Sequence, residues 1–175
     1  MEKRGVIEVE NFLFQEELDF IDSEILSHNI PWHWNPASVT EKFPFFQHVI
    51  IPRDDNTRVV SPLYEFFTTI QNRFCAVCEI PMKKIYRQCI NLTFTSDNGE
   101  YSEPHIDHDF PHKNMIMYLN DDYEMGETVL YNNDLTISKK IEPKKGKVIC
   151  FDGSIVHGTR WISRGRRIIF VSTFY

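Results

Sequence analysis

Apolar and charged residues alternate from Val6 to Val9, which predicts a short strand. From Gln15 to His28 the apolar positions Leu18, Ile21, Ile25 and Leu26 recur at helical spacing, one face of an amphipathic helix. Residues 31 to 60 place Trp32, Trp34, Phe43, Phe45 and Phe46 among Pro31, Pro36, Pro44 and Pro52. Prolines exclude a long helix there, so short strands and loops are expected, with His48 to Ile51 the clearest strand. Ser61-Pro62 reads as an N-cap followed by proline in the first helical position, and Leu63, Phe66, Phe67, Ile70 and Phe74 mark a helix face that belongs in a core.

From Lys84 onward the period changes from helical to two. Strands are predicted at Ile85 to Thr95, His105 to Asp107, Met115 to Leu119, Thr128 to Tyr131, Lys147 to Phe151 and Arg167 to Phe174. Turn signals separate them: Asp97-Asn98-Gly99, Asn120-Asp121-Asp122, Asn132-Asn133-Asp134, Lys145-Gly146 and Asp152-Gly153. Helices first and many short strands afterwards predict a mainly β, α+β fold: a β-sandwich or jelly roll buttressed by N-terminal helices. The expected organisation is one domain over 1–175, with 1–84 as a helical and mixed support region and 85–175 as the jelly-roll core.

Composition agrees with a packed domain, since 42% of residues are hydrophobic and fourteen are Phe. There is no run of eighteen apolar residues, and Met-Glu-Lys-Arg-Gly leads into the alternating segment rather than into a signal-peptide core. Neither membrane insertion nor secretion is expected, and the cytoplasm is the expected compartment. Cys75, Cys78, Cys89 and Cys150 stand in apolar surroundings and read as reduced, buried thiols. Cys75-Ala-Val-Cys78 has the spacing of half a zinc site, but no second C-x-x-C follows it. The net charge of −6 is uneven: residues 139 to 167 carry nine Lys or Arg against Glu142 and Asp152. Such a region either faces an acidic peptide or a phosphate backbone, or forms solvated strand ends and loops.

The candidate chemistry lies in Glu103-Pro104-His105-Ile106-Asp107-His108-Asp109, with His157 and Arg167 downstream. If 105 to 107 are extended, His105 and Asp107 share one face, and an imidazole and a carboxylate can reach one metal. With His157 as third ligand, two imidazoles and one carboxylate leave three positions of an octahedron open, as in non-haem Fe(II) oxygenases. Arg167 opens the apolar run Ile168-Ile169-Phe170-Val171, so its cation points into a barrel and requires an anionic partner. His108 would project to the other face; with Asp109 and His112 it reads as an outer neighbour of the site or as solvent-exposed. His28, His33 and His48 have no partner pattern and read as surface or core residues.

The C-terminal half resembles the Fe(II)- and 2-oxoglutarate-dependent dioxygenases, most closely their prolyl 4-hydroxylase-like branch. The likeness runs through His105-Ile106-Asp107, Met115 to Asp121, Gly126-Glu127-Thr128, Glu142 to Phe151, His157-Gly158 and Gly165-Arg166-Arg167. It implies a double-stranded β-helix, the cupin-like jelly roll, with His105, Asp107 and His157 binding Fe(II). It implies Arg167 on the distal carboxylate of 2-oxoglutarate, helped by the Tyr118 hydroxyl; a guanidinium fork suits that role better than a lysine. Arg166 is the rival, on the opposite face of the same strand. Where the family often has tyrosine, this chain has Ile90-Asn91-Leu92-Thr93-Phe94-Thr95, so Asn91, Thr93 or Thr95 is the expected polar contact to the co-substrate. Thr159 is expected to line the pocket.

The implied activity is hydroxylation of an unactivated C–H bond, first of all of a prolyl residue in a protein or peptide, using dioxygen and releasing succinate and carbon dioxide. Ascorbate is expected as an accessory reductant. Asp107 occupies the position that halogenases of this class leave for chloride. Oxidative demethylation of a nucleic-acid base is the second enzymatic reading, opposed by the acidic balance and by a chain that runs only eighteen residues past His157. A non-catalytic jelly-roll binding module and a zinc hydrolase are the others; the first would be expected to have lost a ligand or the arginine, and the second leaves Arg167 without a purpose. Residues 31 to 58, with Trp32 and Trp34, and the loop from Ser96 to Glu103 are expected to cover the metal as a lid.

Overall fold

The computed structural model describes residues 5–27, 29–37, 43–95 and 100–175. His28, the Asp97-Asn98-Gly99 turn and parts of both expected lid segments lie outside them.

The chain opens with strand β1 (Ile7–Val9), helix α1 (Gln15–Phe20) and a π-helical continuation, Ile21–Leu26. Ile21 and Ile25, one turn apart, have no exposed surface and fix this helix on the core. After β2 (His33–Asn35) and β3 (Phe45–Ile51), α2 (Tyr64–Val77) buries Phe67, Ile70 and Phe74 on one face. Its first turn starts later than the sequence suggests. Ser61 Oγ accepts the Leu63 amide and is also 2.7 Å from His48 Nε2, so Ser61 caps the turn that precedes the helix.

The remaining strands are β4 (Ile85–Phe94), β5 (Lys113–Tyr118), β6 (Thr128–Tyr131), β7 (Ile137–Ile141), β8 (Val148–Asp152), β9 (His157–Thr159) and β10 (Arg166–Phe174). Seven form one antiparallel sheet in the order β1-β8-β5-β10-β4-β3-β2, and three form a smaller sheet, β7-β6-β9. This is the jelly roll. Three strands of the large sheet precede residue 85, so the first half of the chain supplies sheet as well as helices.

Side-chain alternation on β10 divides the interior. Ile168, Phe170 and Phe174 face the helices, where Phe170 stacks on Phe67 with ring centroids 4.3 Å apart. Ile169 and Val171 face the small sheet, beside Cys89, Ile116, Leu130, Ile149 and Phe151. A strand covered on both faces is apolar almost throughout, which is why β10 was so legible.

Two expectations change. His105 to Asp107 is not a strand: His105 makes a single antiparallel bridge to His157, and the chain then bends. β7 was not expected, because Ser138, Lys139 and Lys140 are exposed and its apolar content is too low to mark an edge strand. Among the described residues no helix is long and apolar enough to cross a membrane. All four cysteines are free, and burial pushes the Cys75 and Cys150 thiols up to about 11 and about 12. Four lysines of the C-terminal half turn back onto N-terminal acids: Lys139 and Lys147 to Glu8, Lys144 to Glu10, Lys145 to Asp22. These cations are spent within the molecule rather than forming a free basic face.

Candidate active site

Between the two sheets lies a cavity of about 380 Å³ lined, among others, by His105, Asp107, His157 and Arg167. The two histidines are brought together by reciprocal backbone hydrogen bonds, each amide donating 2.9 Å to the other's carbonyl, with ring centroids 4.6 Å apart. Each ring is oriented by its own neighbourhood: His105 Nδ1 donates to Glu103 O at 3.0 Å and His157 Nδ1 to Ile155 O at 3.1 Å. A carbonyl only accepts, so each Nδ1 carries a proton, and in the neutral ring the Nε2 lone pair is then the one offered to a metal.

His157 Nε2 stands 3.4 Å from Asp107 Oδ2. Two electron-rich atoms facing each other at that distance require a cation between them, a proton or a metal ion. Adjacent donors on one six-coordinate ion, each about 2.1 Å from it, are about 3 Å apart, so this edge is at coordination spacing. Among the described residues no three donors are already closed around one ion position. His105 stands beside the Asp107–His157 edge rather than completing it.

Asp107 is held from its other side. Arg53 donates through Nη2 to Oδ1 at 2.9 Å and through Nη1 to the Asp107 carbonyl at 2.6 Å, while Arg87 Nη1 reaches Oδ1 at 3.4 Å. Burial raises the carboxyl pKa, but His157, Arg87 and Arg53 outweigh it and hold Asp107 well below the usual carboxylate range. Neither arginine was anticipated; they stand 54 and 20 residues from Asp107 in sequence.

Arg167 is 3% exposed and stands two residues after Gly165. That glycine has φ +86°, and a Cβ there would come within 2.8 Å of Asp122 O. Asn120 pins the start of β10 by accepting the Ile168 amide and donating to Arg166 O. With register fixed, Arg166 turns to the helix side and donates to Leu26 O, whereas Arg167 enters the cavity. Its Nε donates to Gly126 O at 2.9 Å and its Nη2 to Thr128 Oγ1 at 3.3 Å. No carboxylate among the described residues pairs with it.

The other anticipated residues divide. Asn91 and Thr93 line the cavity, Thr93 directly across from Arg167, while Thr95 is exposed and does not. Asn91 Oδ1 accepts from Gln47 Nε2, which leaves its Nδ2 as the uncommitted end. Thr159 lines the cavity, but its hydroxyl donates to Glu127 O. Tyr118 has no exposed surface and does not line the cavity; its hydroxyl lies 2.7 Å from Thr128 Oγ1, so Thr128 presents the hydroxyl in its place. Trp32 packs on the helix-side core and Trp34 lies edge-on to Phe46, so neither covers the site. Phe45 and Arg53 line it from that segment, and Trp161, stacked on Phe43 with centroids 4.4 Å apart, was not foreseen. Asn114, 1% exposed, lines the cavity with neither amide atom hydrogen-bonded.

His108 bonds Thr173 Oγ1 at 2.9 Å and stacks on Phe110, outside the triad. Burial, with Arg53 adding to it, pushes its pKa from 6.5 to about 4; burial also lowers His48. In both cases the unfolded chain takes up the proton first as pH falls. Stability of the metal-free protein is therefore full above pH 6.5 and declines as pH drops from there towards about 4. Thermal melts across that window check this, and His108→Gln should flatten the slope. Asp107 acts only below 3.8 and leaves this window untouched.

A jelly roll that carries two imidazoles and a carboxylate beside a buried, anion-seeking arginine has the layout of a non-haem iron oxygenase. The model described as the 2OG-Fe(II) oxygenase superfamily matches residues 90–175, which include all four of these side chains. The matched stretch is 86 of the chain's 175 residues, and it places residues 90–175 in that superfamily. Its likeness within it is to prolyl hydroxylases: 55 residues are 38% identical to prolyl 3-hydroxylase 2 of Rattus norvegicus, a stretch that is 30% of this chain and 8% of that protein. The fold matches a 2OG-Fe(II) oxygenase family oxidoreductase of Burkholderia pseudomallei with TM-score 0.79 and 17% identity, over 98% of this chain and 85% of that one. It also matches a Trichoplax adhaerens prolyl hydroxylase in complex with a hypoxia inducible factor peptide fragment, with TM-score 0.71 and 14% identity over 99% and 84%.

Proposed function

We propose that this protein is an Fe(II)- and 2-oxoglutarate-dependent hydroxylase of a protein or peptide, with a prolyl side chain the first candidate. The observation that carries the reading is Arg167, a buried cation without a carboxylate partner among the described residues, in the same cavity as His105, Asp107 and His157. A buried guanidinium of this kind calls for an anionic ligand, and the superfamily uses a dicarboxylate.

His105 Nε2, His157 Nε2 and Asp107 Oδ2 would hold the metal. Arg167, with the Thr128 hydroxyl beside it, would hold the distal carboxylate of the co-substrate, and Asn91 Nδ2 and Thr93 offer further polar contacts. When bound, Fe(II) with 2-oxoglutarate and dioxygen supplies an oxidative decarboxylation that yields succinate and carbon dioxide and puts one oxygen atom into a C–H bond. Ile116, Ile169 and Val171 form an apolar wall that keeps water from the reacting centre. Peptide as substrate class is supported by the prolyl hydroxylase relatives, one of them bound to a peptide. Asn114 agrees with it, because a carboxamide that can both donate and accept is the complement of a peptide group. Base demethylation is disfavoured by the internal pairing of the C-terminal cations.

The test is succinate formation with Fe(II), 2-oxoglutarate and ascorbate, with and without proline-containing peptides. Oxoglutarate turnover that peptides stimulate is expected; absence of any turnover, together with unchanged iron binding in His105→Ala, would sink the reading. Asn114→Leu should leave the melting temperature unchanged or raise it, since it removes two unpaired buried polar atoms. Peptide-stimulated turnover should fall in the same variant while peptide-independent turnover persists.

A further inference from the structure

The geometry points to Arg87 and Arg53 as positioning residues that keep Asp107 a one-oxygen ligand, an inference that rests on the iron site proposed above. The two carboxylate oxygens have separate surroundings. Oδ2 faces His157 Nε2, whereas Oδ1 takes both guanidinium groups. Arg53 grips Asp107 twice, at Oδ1 and at its own main-chain carbonyl, which ties the carboxylate's rotation to the backbone. Arg87 comes from a different element, β4, in register with Thr173 of β10, and its side chain is 13% exposed against 48% for Arg53. Arg87 is thus the more rigid and less screened of the pair, and Arg53 fixes the angle.

The requirement follows from counting donor atoms. With one oxygen from Asp107, three protein donors leave three positions: two for the keto and carboxylate oxygens of oxoglutarate and one for dioxygen. If Asp107 bound through both oxygens, four donors would leave two, and the oxoglutarate chelate would fill them. Two guanidinium groups on Oδ1 compete directly with that second metal bond. They also leave Oδ2 at coordination spacing from His157, as observed.

The experiment compares the wild type with the double variant R53Q/R87Q and the charge-keeping R53K/R87K. Carboxylate stretching bands in Mn(II)-minus-apo infrared difference spectra report one-oxygen or two-oxygen binding. Anaerobic Fe(II) titration with 2-oxoglutarate reports the charge-transfer band of the chelate. The expected result is a one-oxygen signature in the wild type and a two-oxygen signature in R53Q/R87Q, with metal affinity held or increased and oxoglutarate affinity reduced at least tenfold. R53K/R87K, which keeps the charge but lacks the fork, should restore only part of the one-oxygen signature. A one-oxygen signature in R53Q/R87Q, or full restoration by lysine, would overturn the positioning role while leaving the iron site standing. A wild type without a chelate band would overturn both. If R53Q/R87Q does not fold, R53Q alone carries the test, with a smaller but same-signed loss of oxoglutarate affinity.

Discussion

Arg167→Met should sharply weaken oxoglutarate binding without destabilising the protein. In the liganded state the guanidinium is expected to meet a carboxylate in a desolvated pocket, and truncating one partner of such a pair removes about 2–5 kcal/mol. The Kd for 2-oxoglutarate should therefore rise by about thirtyfold to several thousandfold, and turnover should fall with it at any fixed oxoglutarate concentration. Free of ligand, the same cation is held by Gly126 O and Thr128 Oγ1, with the Tyr118 and Tyr123 side chains beside it and no carboxylate partner among the described residues. Replacing a buried charge that lacks a counterion with an unbranched apolar chain of similar length is neutral or stabilising. Ligand-free Arg167→Met should thus melt no lower than the wild type. Saturating oxoglutarate at about 100 times Kd should add about 2.7 kcal/mol to the metal-loaded wild type. At the same concentration the variant should gain at most about 0.9 kcal/mol. Scanning calorimetry with and without oxoglutarate checks both halves, and a variant that melts well below the wild type while still binding oxoglutarate would assign Arg167 a structural role.

The contrast between Arg167 and its neighbours shows what the sequence makes legible. Arg167 follows from the family pattern Gly165-Arg166-Arg167, and strand parity sets it on the face opposite Arg166: β10 is long and buried from Arg167 onward, and a two-residue period survives intact in such an element. The same parity failed at His105 to Asp107. Pro104 on one side and Phe110-Pro111 on the other keep that stretch from pairing beyond a single bridge, so the two side chains converge through a bend. Thr128 was in view as part of Gly126-Glu127-Thr128, but its place between Arg167 and Tyr118 depends on which sheet each strand joins, and periodicity carries no such information. Arg53 and Arg87 lay further out of reach. Their pairing with Asp107 joins the end of β3, the start of β4 and a loop, and only the three-dimensional register brings those together. An arginine opening a loop after Ile51-Pro52 is, from sequence alone, an ordinary surface residue.

Removing the carboxylate and removing an imidazole should have the same effect on chemistry and different effects on the fold. Asp107→Ala and His105→Ala each delete a donor from a set of three, so iron binding and oxoglutarate turnover should both drop by more than the 10–100-fold that loss of an outer partner brings. In the metal-free protein the two variants separate. Asp107 is the counterion that Arg87 and Arg53 share, and without it Arg87 is left largely buried and unpaired. Loss of one partner of a fully buried pair costs about 3–5 kcal/mol; here the 13% exposure of Arg87 and the half-exposed Arg53 reduce that to about 1–3 kcal/mol. For a chain of this length that is a fall of roughly 2–12 °C in melting temperature. His105 has no such dependant: its Nδ1 meets a backbone carbonyl that is near solvent, and its ring packs on His157 alone among the rings. His105→Ala should melt close to the wild type. Adding iron should then raise the melting temperature of the wild type and of neither variant, which separates loss of the metal from loss of the fold. The contribution of Asp107 also carries a pH signature: its carboxyl is held below the usual range, so the penalty of Asp107→Ala is fully present above pH 3.8 and disappears only in strong acid. A penalty that vanished between pH 7 and 5 would show that the arginines find another counterion, and that the carboxylate is not what secures them.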